Sequence, residues 1–197
     1  MFRLNKQKAL SSAAYIIRAC GGTVGRLKLL KLIFIADRYH IRKYLRPVTG
    51  DRYYAMRLGP VATYLYNVCK GLTTGEGLVR RGSKSNEMRL GTKEIDLNDF
   101  SPSDIEALDF ALSKFGKLDF NSLARVVHAY PEWAKFAERF AKNPDGREEM
   151  TFADFFGEQV QTPEVKRLKF TDPFPPLTPY QQAILREDLA KSANRLV

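Results

Sequence analysis

Histidine, cysteine and tryptophan are scarce in this chain, with two, two and one among 197 residues, which leaves little material for metal or nucleophile chemistry. His40 and His128 fall on different predicted helices. Together with Cys20 and Cys69 they lack the close pairwise spacing of a zinc site. No HExxH, paired CxxC, Gly-rich phosphate loop or GxSxG occurs. Gly21-Gly22-Thr23-Val24-Gly25 follows a helical pattern, not a strand, and reads as a helix-to-helix turn rather than a phosphate cradle. No catalytic residue, metal or cofactor is expected. No apolar run reaches membrane-spanning length, because Lys28, Lys31, Asp37 and Arg38 interrupt the most apolar stretch. The start, Met1-Phe2-Arg3-Leu4-Asn5-Lys6, is charged but leads into no apolar core with a cleavage site. A cytoplasmic protein with no membrane partner is expected. A disulfide would be unusual there, so both cysteines read as small core residues.

What is abundant is apolar and basic. The chain is 44% hydrophobic with 13 Phe and 9 Tyr, enough for a sizeable core in one domain with appendages. Its 32 basic and 22 acidic side chains give a net charge of +10, which favours an acidic partner, protein or nucleic acid. The basic residues form two groups. Lys28, Lys31, Arg38 and Arg42 make a stripe on one helix, and Arg80, Arg81, Lys84 and Arg89 decorate a hairpin. A solvated face is the first reading of both, and phosphate contacts the second.

The most informative stretch is Leu27 to Tyr44. Leu27, Leu29, Leu30, Ile33, Phe34, Ile41 and Tyr44 fill one broad helical arc, and Leu32, Ala36 and Tyr39 extend it round the back, as in a central buried helix. Asn5 to Cys20 reads as a helix before it. Pro60 is expected to start a helix reaching Gly71. Leu78–Gly82 and Glu87–Leu90 flank a polar tip, a small β-hairpin at about 78–91. Ser101-Pro102-Ser103-Asp104 caps a further helix, Phe120 to Tyr130 forms another, and Pro131 starts one that aligns Trp133, Phe136 and Phe140. Thr151 caps a short piece closed by Gly157. Beyond it, Pro163, Pro173, Pro175, Pro176 and Pro179 mark an extended arm, and Thr178-Pro179-Tyr180-Gln181 opens a last helix. The expected fold is mainly α: a helical domain over 1–157 around the central helix (27–44) with a small β-hairpin, and a Pro-rich arm over 158–197 ending in a helix.

Asp37 interrupts the apolar arc. A buried carboxylate must be hydrogen-bonded or paired, and the loop that follows, Arg46 to Tyr53, supplies backbone donors. The favoured reading is a structural anchor for that loop; an active-site acid is the alternative. Asp51 could join Asp37 as a carboxylate pair, but is better read as capping a helix or pairing with an Arg, because Gly50 and Gly59 mark close backbone approach.

Three blocks in this order, Lys28-Leu29-Leu30-Lys31-Leu32-Ile33-Phe34-Ile35-Ala36-Asp37, Arg46-Pro47-Val48-Thr49-Gly50-Asp51-Arg52-Tyr53 and Gly59-Pro60-Val61, resemble the Panacea domain of the SocA-like antitoxin family. His128 with Pro131-Glu132-Trp133 is similar to a less strict stretch downstream. The resemblance covers roughly Thr23 to Gly157. It implies a mainly helical, non-enzymatic, bacterial, plasmid or phage antitoxin that binds a separately encoded protein toxin, with a branch that delivers its toxin to a Clp-type protease. Lys31, Asp37, Thr49, Gly50, Asp51, Gly59, Pro60, His128 and Trp133 are then scaffold residues. Arg38, Arg42, Arg80, Arg81, Lys84, Arg89, Tyr180, Ile184, Leu185 and Leu189 are candidates for the partner or a homo-oligomer contact, since the last helix has too thin an apolar face to be core. The alternative function is a nucleic-acid-binding regulator that uses helix 60–71 and hairpin 78–91 as helix and wing.

Overall fold

Helix α1 (Lys6–Ala19) opens the chain, with Asn5 accepting the Lys8 N–H at its N-cap. Helix α2 (Arg26–Tyr44) follows, and 13 of its 19 residues are buried. The structure, a computed structural model, describes residues 3–73, 77–80, 82, 85–92, 96, 98–157, 163–167, 173–174, 177–180, 183 and 187. Among these the protein is mainly α-helical with two small antiparallel sheets. Two short strands, β2 (Tyr53–Met56) and β3 (Gly59–Ala62), form a hairpin that runs into α3 (Thr63–Lys70). Strands β4 (Leu78–Arg80) and β5 (Glu87–Leu90) form the second hairpin, with Leu78 opposite Leu90. Helices α4 (Pro102–Phe115) and α5 (Phe120–His128) then flank α2. Ser101 and Asp104 close a capping box at the start of α4.

Phe34 explains why α2 takes so much cover. Its ring meets Tyr53, Tyr130 and Phe155, which come from β2, the junction just after α5 and a 3-10 turn at Phe152–Phe156. Each fully buried aliphatic or aromatic side chain of this kind contributes about 1.5–3 kcal/mol, so the sequence's most apolar helix sits where burial gains most. The helix ends at Leu45, a leucine in the left-handed region (φ 58°) whose N–H bonds to the Ile41 carbonyl.

Three expectations change. The Gly21–Gly25 turn contains a strand, β1 (Thr23–Gly25), paired with β5, so the basic hairpin is two strands of a three-stranded sheet ordered β1-β5-β4. Gly21 and Gly22, both at positive φ, swing the chain from α1 onto that edge. Pro60 lies in a strand opposite Ala55, and the helix starts at Thr63. The fixed φ of proline suits an extended strand as well as a first helical turn. The helix expected from Pro131 through Phe140 is two pieces, α6 (Pro131–Ala134) and α7 (Ala137–Lys142). They separate where the Phe136 N–H bonds to Trp133, three residues back instead of four. After the turn at Asn143–Gly146, β6 (Arg147–Glu149) adds a third strand to β2.

The arm returns to the helical domain. Helix α8 (Pro163–Arg167) packs near α5, the Phe174 ring meets Tyr39 with centroids 5.0 Å apart, and Leu177 is half-buried against the core. Most of the expected last helix lies outside the described residues.

Candidate functional site

The β2–β3 hairpin lies against α2, and two clusters of side chains form beside it. The first centres on Asp37, fully buried. Its Oδ1 accepts the Val48 N–H at 2.8 Å and the Thr49 N–H at 2.9 Å. Its Oδ2 accepts the Thr49 hydroxyl and, at 2.9 Å, the Tyr53 phenol. The Thr49 hydroxyl also accepts the Asp51 N–H at 3.2 Å, so its own proton is committed to Asp37. Burial pushes the Asp37 carboxyl upward, and the donors of Thr49, Tyr53 and Val48 pull against it. Two of those donors are amides that can only donate, so the arrangement is built for a carboxylate.

Gly50 is the hinge of that loop. Its φ is +66°, and a Cβ there would lie 2.3 Å from the Arg3 carbonyl oxygen. Asp51 then turns to α3, accepting the Tyr64 N–H at 3.0 Å and the Leu65 N–H at 3.3 Å. This carboxylate supplies the cap that Ala62 lacks. Burial, with the charge of Asp37 adding to it, raises Asp51 to about 6 against the pull of the Tyr64 and Leu65 amides. Both acids are thus held by backbone donors.

The second cluster brings Lys31, Gly59, His128 and Trp133 together. Trp133 donates its indole N–H to the Met56 carbonyl at 2.8 Å, and the His128 ring stacks on it with centroids 3.6 Å apart. Gly59 holds φ +108°, and a Cβ there would stand 2.9 Å from Lys31 Nζ and 3.0 Å from Val127. Lys31 is 1% exposed, with its ammonium 5.3 Å from the Phe120 ring centroid. Burial alone lowers Lys31 to about 8. Burial first, and then the charge of Lys31, lower His128 to about 4, against a hydrogen bond to the Leu58 backbone. Among the described residues His128 Nε2 is buried and has no hydrogen-bond partner.

The basic stripe expected on the surface of α2 is mostly inside. Arg38 pairs with Glu132 at 2.7 Å, both residues buried, and lies 3.8 Å over the Tyr130 ring. Arg42 donates to the carbonyls of Phe155, Gly157 and Phe174 at 3.1, 3.0 and 2.7 Å. Lys28 donates to the Gly116 carbonyl at 2.6 Å. Arg38 and Arg42, expected on the partner-facing surface, are therefore buried and tied within the chain. Arg80 and Arg89 are exposed on the hairpin, and Tyr180 is exposed on the arm. Arg81, Lys84, Ile184, Leu185 and Leu189 lie outside the described residues. The helix-and-wing arrangement is weakened as well, because α3 has only 8 residues and its first turn is occupied by Asp51.

Some ties carried no sequence signal. Glu132 is fully buried, and Asp104 joins Lys8 at 2.6 Å to Arg46 at 3.2 Å beside buried His40. His40 Nε2 meets Ser103 Oγ at 3.0 Å and its Nδ1 meets the Arg46 carbonyl. The Ser103 hydroxyl is also bonded to Ser101 and Arg46, which makes it a capping network rather than an exposed nucleophile. Cys20 and Cys69 are free thiols. Among the described residues no cluster of three or more metal-ligating side chains occurs, and no helix is long and apolar enough to cross a membrane.

The segment that contains both clusters is matched by a family model described as antitoxin SocA-like, Panacea domain, over residues 29–134. The chain belongs to this SocA-like family. No curated protein and no solved structure matches it. The Panacea segment runs from within the first turn of α2 through α6 and leaves α1, β6 and the arm outside, although α1 and the 3-10 turn help to bury α2.

Proposed function

We propose that this protein is a non-enzymatic antitoxin that neutralises a separately encoded protein toxin by binding it directly. Membership of the SocA-like Panacea family is the observation that carries this reading. The engagement of Asp37 and Asp51 by backbone amides supports it, because acids so occupied anchor loops and are poorly placed for proton transfer to a substrate. The basic surface supports an acidic partner through faster encounter. In this reading the Panacea-like domain spans 1–157 and the arm 158–197 contributes to the partner interface or to a homo-oligomer contact. The same complex could be handed to a Clp-type protease, which would shorten the toxin's half-life only in cells that contain the protease.

Co-expression with the product of the neighbouring gene tests the reading. Growth is expected to be rescued by the full chain and weakened when the chain ends at Gly157. Equal rescue by both confines recognition to the helical domain. Failure of the full chain to rescue or to co-purify removes the antitoxin assignment.

A further inference from the structure

We infer that Lys31 and His128 form a receptor point for a carboxylate, carried by an acidic side chain of the protein partner. The partner half of this inference rests on the antitoxin reading; the carboxylate half stands on the geometry of the second cluster. Lys31 is 1% exposed, and among the described residues no carboxylate or carbonyl accepts from its ammonium. The Phe120 ring 5.3 Å away offsets only part of the lost hydration. Among the described residues His128 Nε2 is a buried nitrogen without a partner, and the charge of Lys31 acts on its ring. A buried ammonium with no carboxylate beside it among the described residues, together with an unpartnered imidazole nitrogen, is costly in a scaffold where a methionine of similar length would carry no charge.

The pair also lies directly beneath the surface. Gly59, the residue whose missing Cβ makes room for the ammonium, ends a turn at Arg57 and Leu58 that is exposed, Leu58 by 43%. The His128 ring is bonded to the Leu58 backbone. This turn is the exposed segment that adjoins both groups, through Gly59 at the ammonium and Leu58 at the imidazole. A carboxylate fits them better than a neutral carbonyl. It has acceptors for both nitrogens, and its charge removes the repulsion that opposes protonation of His128. With a net charge of +10 on the chain, an acidic protein is the partner that long-range attraction also selects.

The test uses the full chain with labelled lysine and histidine, titrated with sodium acetate and, at matched ionic strength, sodium chloride. Acetate is expected to shift the Lys31 and His128 resonances saturably and to raise the His128 titration midpoint, whereas chloride does neither. Lys31→Met, which folds without a buried charge, should abolish the acetate response. In co-expression with the neighbouring gene, Lys31→Met should rescue growth at least tenfold less well than wild type. Absence of a saturable acetate shift, or a shift that survives in Lys31→Met, overturns the receptor. Acetate binding combined with full rescue by Lys31→Met overturns the partner and assigns the site to a free small carboxylate. Failure of the wild type to rescue is read separately, and it removes the antitoxin reading and the partner assignment together.

Discussion

Replacing Lys31 by methionine should make the protein more stable, an unusual outcome for a fully buried side chain. The ammonium is lowered by burial from 10.5 to about 8. That lowering amounts to about 3 kcal/mol of penalty at neutral pH for keeping the proton in the fold. Methionine keeps most of the apolar stem beside Gly59 and Phe120 and removes the penalty. Imperfect refilling of the space takes back part of the gain. A net gain of about 2 kcal/mol is expected, equivalent to a Tm higher by roughly 4–8 °C for a chain of this size.

The pH dependence separates this cause from better packing. The folded state sheds the Lys31 proton near pH 8, while the unfolded chain keeps it to about 10.5. In that window the unfolded state binds more protons, so wild-type stability rises with pH relative to the variant. The advantage of Lys31→Met should therefore be full at pH 7 and nearly gone by about pH 10. Urea denaturation of both proteins at pH 7, 8.5 and 10 measures the difference, in which other titrating groups cancel. Lys28→Met is the control on the same helix and should lose stability, because Lys28 bonds the Gly116 carbonyl. A Lys31→Met protein that melts below wild type at pH 7, or an advantage that does not change with pH, would refute the reasoning.

Asp37→Ala strands the donors of Val48, Thr49 and Tyr53, and it should cost about 3 kcal/mol or more in denaturation; a variant that melts like wild type but no longer neutralises toxin would make Asp37 a working residue. Arg38→Met leaves Glu132 buried without its main cation and should cost about 3–5 kcal/mol, and adding Glu132→Gln should recover a measurable part; strictly additive losses would mean that the pair is not coupled. Asp51 is raised to about 6, so between its unfolded value of about 4 and pH 6 its contribution to stability falls as pH rises. Asp51→Asn keeps an acceptor for the first turn of α3, and it should flatten this part of the stability profile without large loss at pH 7.

The sequence signal was clearest where cause and effect are close together. Asp37 stands alone in an apolar arc, and its donors lie within 16 residues, in the loop that immediately follows. The α4 cap was readable for the same reason, with Ser101 and Asp104 three residues apart. Pro60 misled because its backbone angle serves a strand and a helix start equally. The residue that fixes the true start of α3, Asp51, lies 13 residues before the first amide it caps. Strands β1 and β6 have 3 residues each, too few for an alternating pattern to register.

The charges of α2 were the least legible, because a lysine or arginine in a helical pattern normally faces water. Arg38 meets Glu132 at a separation of 94 residues, and Arg42 reaches carbonyls 113, 115 and 132 residues away. No local pattern encodes such partners. Their chemistry nevertheless sorts them. A guanidinium has five donors in a planar fork, so one Arg42 can tie the 3-10 turn, Gly157 and the arm at Phe174 to a single point of α2. Lys31 offers a compact charge that gains little from distant carbonyls unless one touches it. Asp37, Arg38 and Arg42 are matched from within the chain, and each such match explains why a charged side chain can sit in the core. Lys31 has no internal match among the described residues, although it lies on the same helix and at the same depth. The ions matched within the chain belong to the architecture of α2, and Lys31, unmatched among the described residues, is the one proposed to receive a group from a partner.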